Sequence, residues 1–201
     1  MRNEFIDGIK NNQAEFGLKL ADDAIEILAD YFELVQEHTP ILHLVGPSTP
    51  EEFAIRHILE SLTLLEFLPL NTNFADVGTG AGLPSIPCLI VREDLKGVLI
   101  ESKKKKTKFL ELAADRLKLK NRVRILTRQF HESDPAECQI ITCRALDKFT
   151  EKLARMLRWS MRRKLLLFGG PNLRDALETQ KVRFEEKLMP LSEQRFLYIL
   201  K

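Results

Sequence analysis

The apolar positions of the chain change period near residue 70. Before it they recur at helical spacing. Ile25, Leu28, Phe32 and Val35 stand three, four and three positions apart, one stripe on a helix. Thr49-Pro50-Glu51-Glu52 reads as a helix start, with Thr49 as N-cap, Pro50 at the first position and Glu52 closing a capping box. Ile55, Ile58, Leu59, Leu62 and Leu65 carry that helix on, and it is expected to stop at Pro69. The stretch between the two helices, HTPILHLVGPSTP, predicts a Pro-rich loop. After Asn71, short apolar runs alternate with helical patterns, at 73–77, 97–101, 123–126, 140–143, 164–168 and 196–200. The segment 104–119 has Phe109, Leu112, Ala113 and Leu117 at helical spacing. Such alternation predicts βαβ units, an α/β class and a mainly parallel sheet over residues 71–201. Residues 1–70 form an N-terminal helical extension expected to pack on it. Residues 171–195 show no clear pattern.

Composition narrows the class. The 201 residues are 44% hydrophobic and 30% charged, ordinary globular values that exclude a disordered or low-complexity chain. No apolar run approaches the ~18 residues of a membrane helix, so no membrane partner is expected. The N-terminus has no apolar core behind a basic start, and a signal peptide is not expected. Cys88, Cys138 and Cys143 form no C-x-x-C pair and read as reduced thiols of a cytoplasmic protein. His38, His43, His57 and His131 lack metal-ligand spacing, so no metal is expected.

The net charge of +2 hides an asymmetry. Residues 1–76 sum to −10 and residues 77–201 to +12. Residues 103–128 hold 11 basic side chains against Glu111 and Asp115, and residues 152–164 hold Lys152, Arg155, Arg158, Arg162, Arg163 and Lys164 without an acid. A single run of this kind also reads as a solvated helix face. Two of them in the half that carries a glycine-rich loop point to RNA. Candidate RNA contacts are Lys103, Lys104, Lys105 and Lys106 in the first run and Arg158, Arg162 and Arg163 in the second.

That loop is Asp76-Val77-Gly78-Thr79-Gly80-Ala81-Gly82-Leu83-Pro84, which follows an apolar strand and precedes a helix. Glycines there let the backbone turn and approach a ligand. Glu101 closes the next strand, where a carboxylate can accept both ribose hydroxyls. A dinucleotide site asks for G-x-G-x-x-G, but Leu83 stands at the third glycine. The pattern [D/E]-x-G-x-G-x-G suits S-adenosyl-L-methionine instead, because Asp76 brings a negative charge towards a cationic sulfonium. A purely structural glycine turn is the third reading. Cys143 admits two roles, a nucleophile for methyl transfer to cytosine C5 or a small buried hydrophobe, and its apolar strand favours the second.

The chain resembles the bacterial 16S ribosomal RNA guanine-N7 methyltransferases, the glucose-inhibited division protein B family. Arg56-His57-Ile58-Leu59-Glu60-Ser61 resembles the family's R-H-x-x-D-S, and residues 76–87 resemble D-V-G-T-G-x-G-L-P-G-I-P. Glu101-Ser102 with Lys105 and Lys108-Phe109-Leu110 resembles D-S-x-x-K-R-x-x-F-L, and Cys143-Arg144-Ala145 resembles S-R-A. The likeness covers about residues 40–170. The chain departs at His43-Leu44-Val45 (family N-L-T), at Glu60 and Glu101 (family Asp), and at Phe168, where the family often has Lys.

The resemblance implies a Rossmann-like class I methyltransferase fold, with a mainly parallel seven-stranded sheet and helices on both faces. It implies S-adenosyl-L-methionine as cofactor, S-adenosyl-L-homocysteine as product, and 16S ribosomal RNA of the small ribosomal subunit as partner. A monomer is expected. Asp76, Gly78, Gly80, Gly82, Leu83, Glu101 and Ser102 would bind the cofactor, with Gln129 and Phe130 at its adenine edge. Arg144, the catalytic candidate and a further cofactor-binding residue, would lie beside the methyl group and the base. Arg56 and His57 are RNA candidates; for His57 a packing role fits as well. Guanine N7 has no proton to lose, so no general base is expected. The alternatives are a nicotinamide-dependent oxidoreductase on the same loop and a non-catalytic RNA-binding relative.

Overall fold

The computed structural model describes residues 1–134, 137–144, 149–161 and 163–201. Helices α1 (Arg2–Asn12) and α2 (Asp22–Leu42) open the chain. The stripe expected on α2 is buried at all four positions, as are Tyr31 and Leu34. Phe5 of α1 stacks on Phe32 at 4.7 Å between ring centroids, and Phe53 meets Phe32 edge-on at 5.0 Å. The α2 helix is longer than its sequence suggests. Thr39-Pro40-Ile41-Leu42, read as the start of a loop, form its last turn, which ends at His43 in a left-handed conformation. Packing of the long apolar face outweighs the one backbone donor lost at Pro40.

The capping box at Thr49 is present: Glu52 N donates to Thr49 Oγ1 at 3.1 Å, and Thr49 N to Glu52 Oε2 at 2.8 Å. The helix it starts is not uniform. Helix α3 (Pro50–Phe53) widens into a π-helical stretch over Ala54–Leu59, narrows through α4 (Glu60–Leu62) and tightens to a 3-10 turn over Thr63–Phe67. Apolar spacing does not reveal this, because the stretches are only six and five residues long, too short for their own periods to stand out from the α pattern. Such π segments are frequent at functional sites, and this one carries Arg56 and His57.

The sheet order is β3-β2-β1-β4-β5-β7-β6, with β1 Asn73–Val77, β2 Lys96–Glu101, β3 Val123–Thr127, β4 Ile140–Arg144, β5 Lys164–Gly169, β6 Glu185–Leu188 and β7 Phe196–Leu200. Strands β1 to β5 are parallel, and β7 runs antiparallel between β5 and β6. Six strands match the apolar runs within one residue at each end. The seventh, β6, has the sequence EEKL, an edge strand whose polar side chains carry no alternation to read. Helices α5 (Ser85–Val91) and α6 (Lys104–Arg116) share a core with the N-terminal helices on one face. Helices α7 (Phe149–Trp159) and α8 (Pro171–Thr179) cover the other. The strand order reverses between β1 and β4, and in open α/β sheets the carboxyl ends at such a switch point are where ligands bind. Among the described residues, no helix is long and apolar enough to cross a membrane.

Candidate functional site

A cavity of about 460 Å³ opens at that switch point. Its walls come from the ends of four adjacent strands: Gly78–Ala81 and Leu83 after β1, Glu101–Lys103 and Lys106 after β2, Gln129 after β3, and Arg144 at the end of β4. Leu44, Val45 and Gly46 of the segment after α2 close one side, with His57 and Lys152.

The glycine loop is held from below and from the side. Asp76 is fully buried, and its Oδ2 accepts hydrogen bonds from Thr79 Oγ1 at 2.6 Å and Ser85 Oγ at 2.5 Å. Its Oδ1 has no partner among the described residues. Burial pushes the Asp76 carboxyl up to about 7, against the pull of those hydroxyls. Asp76 therefore braces the loop from beneath and does not line the cavity, where the sequence reading had placed it. Tyr31 of α2 donates to Ala81 O at 3.0 Å, tying the N-terminal helices to the loop. Gly80 has φ +59, and its amide donates to Glu101 Oε2 at 3.2 Å. Gly82 has φ +97, and a Cβ there would lie 2.3 Å from Ile86 Cδ1. Gly82 serves helix packing and is not part of the wall, a second correction. Gly82→Val is expected to distort the loop and weaken S-adenosylhomocysteine binding by at least about tenfold while Asp76→Asn weakens it less, as read by calorimetry.

Glu101 stands opposite the loop, its Oε1 accepting from Lys103 N at 2.8 Å. Ser102, Lys103, Lys104 and Lys105 are exposed at the start of α6. Lys106 is half-buried at the cavity wall and donates to His43 O at 3.2 Å, which fastens the segment after α2. Gln129 lines the cavity, but Phe130 does not. Phe130 is buried, its ring 5.3 Å from that of Trp159, away from the cavity wall where the adenine edge was expected. Trp159 Nε1 donates to Ser133 O at 2.8 Å, and this side chain packs.

Arg144 is clamped. Its Nη1 donates to Ser61 Oγ and its Nη2 to Glu60 Oε2, both at 3.2 Å, and Nη2 also reaches Arg56 O in the π stretch. Its guanidinium lies over the Phe168 ring, 5.4 Å from the centroid. The apolar residue at this strand end thus gives the cation a face to stack on. Glu60 is buried, and its second oxygen accepts from Arg195 Nε at 2.6 Å. Burial lowers the Arg144 pKa and Glu60 opposes the shift. His57 packs on the Phe53 ring at 4.8 Å, and burial, then the nearby arginines Arg144, Arg56 and Arg195, holds its pKa down to about 3. It is a neutral imidazole in the cavity wall. Arg56 is exposed.

The second basic run divides. Lys152 lies at the cavity, whereas Arg158 and Arg163 lie at the far end of α7 and before β5, on the opposite edge of the sheet. Arg163 is spent on backbone, donating to Cys138 O at 2.8 Å and Ser160 O at 3.2 Å. Arg162 lies outside the described residues. Cys143 is wholly buried in β4 and is absent from the cavity wall, which removes the nucleophile reading. Sequence reasoning missed Tyr31, Lys152, Arg195 and the wall at Leu44–Gly46. For Lys152 there was a signal, since the first turn of a helix after a parallel strand faces the switch point.

Two buried groups give opposing pH dependences. Asp76, raised in the fold, contributes stability that is present below its unfolded pKa and lost as pH rises from about 4 to about 7. His57, lowered in the fold, contributes stability lost as pH falls from about 6.5 to about 3. Between about 4 and 6.5 the two slopes cancel. Asp76→Asn should therefore expose a rise in stability with pH of about 1.4 kcal/mol per unit in that window, and His57→Gln a fall. Urea midpoints from pH 4.5 to 6.5 read both, and a parent protein with a steep slope there would contradict the pairing.

This chain matches the family model of the rRNA small subunit methyltransferase G (GidB) proteins over residues 24–193. The chain belongs to that family. A ribosomal RNA small subunit methyltransferase G of Chromobacterium violaceum is 34% identical over 152 residues, covering 74% of this chain and 72% of the relative. One of Pelotomaculum thermopropionicum is 38% identical over 113 residues, 55% of this chain, and there the match spans 47%, about half, of the relative's length. Among solved structures, a SAM dependent methyltransferase from Aquifex aeolicus superposes with a TM-score of 0.59 at 17% identity, covering 85% of this chain and 97% of that one. The seven-stranded, mainly parallel sheet and the covering of both its faces are those the family resemblance implied.

Proposed function

We propose that this chain transfers a methyl group from S-adenosyl-L-methionine to N7 of a guanine in the 16S ribosomal RNA of the small subunit. One observation carries the reading: the glycine loop with Glu101 and the clamped Arg144 face each other across a single cavity. The residues fit the cofactor. The volume lies within the roughly 300–1,000 Å³ of small-molecule sites. Glu101 is placed to accept ribose hydroxyls, and Gln129 to meet the adenine.

When bound, S-adenosyl-L-methionine supplies an electrophilic methyl group. The protein's part is to hold the guanine in line with it. N7 attacks through a free lone pair, so no base is needed, in keeping with a neutral His57. Positioning of two reactants can supply roughly 7–11 kcal/mol. Arg144 still has donors to offer guanine O6 or a phosphate, and its clamp fixes where they point. Lys103, Lys104, Lys105 and Arg56 surround the mouth as contacts for RNA phosphates.

Small subunits lacking the modification, mixed with the protein and labelled cofactor, should gain label at a guanine N7. Calorimetry should show S-adenosylhomocysteine binding and no tight NAD binding. Label at cytosine C5, or tight NAD binding, would overturn the assignment.

A further inference from the structure

The amino edge of the sheet, opposite the cavity, carries the basic charge that the cavity does not use. Register places Asn73 beside Lys96, Gly97 beside Val123, and Ile140 beside Lys164. Lys96, Arg122, Arg163 and Lys164 therefore stand in one row along this edge. Arg158 joins them from the end of α7, and Lys181 and Arg183 follow the end of α8. Part of the row is committed. Arg122 donates to Leu89 O and Arg92 O at 2.8 and 3.1 Å, Arg163 is held by Cys138 O, and Arg124 is 3.7 Å from Glu137 with its side chain 49% exposed. Lys96, Arg158, Lys181 and Arg183 are exposed and have no ion-pair partner among the described residues. A shallow hollow of about 160 Å³ lies between Lys96, Asn121, Arg124 and Glu137.

We propose that this edge is a second RNA-contact surface, which grips phosphates of the substrate remote from the guanine in the cavity. The inference rests on the RNA-methyltransferase reading and adds a substrate class to it. Strand β1 has five residues, so edge and mouth are roughly 17 Å apart along the sheet at about 3.3 Å per residue. A stacked strand advances about 3.4 Å per nucleotide. Bridging both places around the outside of the molecule takes well over six nucleotides. The substrate is then a folded RNA or a ribonucleoprotein particle that wraps the protein, and a short strand would reach the mouth alone. The charge is suited to phosphates: separated lysines and arginines on exposed positions read the backbone and not the bases.

The test uses the full chain with Lys96→Gln, Arg158→Gln and Arg183→Gln combined, three exposed positions of the edge, none of which touches the cavity. The substrates are undermodified small subunits and a four-nucleotide RNA containing the same guanine, about 14 Å long at about 3.4 Å per nucleotide and too short to reach the edge. For subunits, KM should rise about tenfold, and the slope of log KM on log salt should fall by about 2 to 3 in size, about 0.7 to 0.9 for each of three lost phosphate contacts. Values of kcat, S-adenosylhomocysteine affinity and the KM of the short RNA should stay unchanged. An unchanged salt slope with subunits, or an equal loss on the short RNA, would overturn the second surface. Filter binding of subunits to parent and variant gives the same comparison without turnover. Should the parent methylate neither substrate, the methyltransferase reading fails, while the binding difference still decides the surface.

Discussion

Arg144→Ala is expected to lower turnover by roughly 100- to 1,000-fold, the usual cost of removing one preorganised donor from a reacting centre. Affinity for S-adenosylhomocysteine should stay within a few-fold of the parent. The reason is the division of labour around the cavity. The cofactor side is built from the glycine loop, Glu101 and Gln129, which lean on Asp76, Thr79, Ser85 and Tyr31 and not on Arg144. Arg144 stands on the other wall, fixed by Ser61, Glu60, Arg56 O and the Phe168 ring. The protein should still fold, at a cost in stability smaller than that of losing Glu60, because Glu60 keeps Arg195 at 2.6 Å. Arg144→Lys should recover little, since a point charge cannot reproduce the fork that meets Ser61, Glu60 and a carbonyl together. Single-turnover methylation and calorimetry on the same preparations separate the effects. A variant that loses binding and turnover in equal measure would place Arg144 with the cofactor alone.

The sheet was legible in the chain because parallel strands buried on both faces are continuous apolar runs. The one strand that was not legible, β6, lies at an edge and needs no such run. The loop was legible for a different reason: three positive-φ glycines are an unusual requirement that sequence states outright. What could not be read was which of its residues touch the ligand. Asp76 and Gly82 sit in the motif, yet one props the loop from below and the other makes room for Ile86. Spacing encodes a loop's conformation and its ligand contacts in the same letters. The division of residues 152–164 was hidden likewise, because α7 carries Lys152 at the mouth and delivers Arg158 to the far edge. Partners distant in sequence were out of reach altogether. Arg195 meets Glu60 across 135 positions, in a stretch without a pattern.

That distant contact governs the second large effect. Glu60→Gln is expected to destabilise the protein by roughly 3–5 kcal/mol, the cost of leaving buried charge uncompensated. Glu60 is 1% exposed and accepts from two guanidinium groups, one on each oxygen. The substitution preserves shape and one acceptor but removes the charge that balances both cations, and its amide nitrogen then faces an arginine. Arg144 is largely buried, its side chain 14% exposed where it meets the cavity, so water screens its charge little. Removing that cation as well should help: Glu60→Gln with Arg144→Ala should be more stable than Glu60→Gln alone, although each change is harmful by itself. Non-additivity of this sign is the mark of a charge network, whereas packing loss would add. Urea midpoints of the parent, both single variants and the double variant close the cycle. Strict additivity would mean that the cluster is held by packing, and that the negative charge of Glu60 is not what keeps Arg144 poised at the cavity.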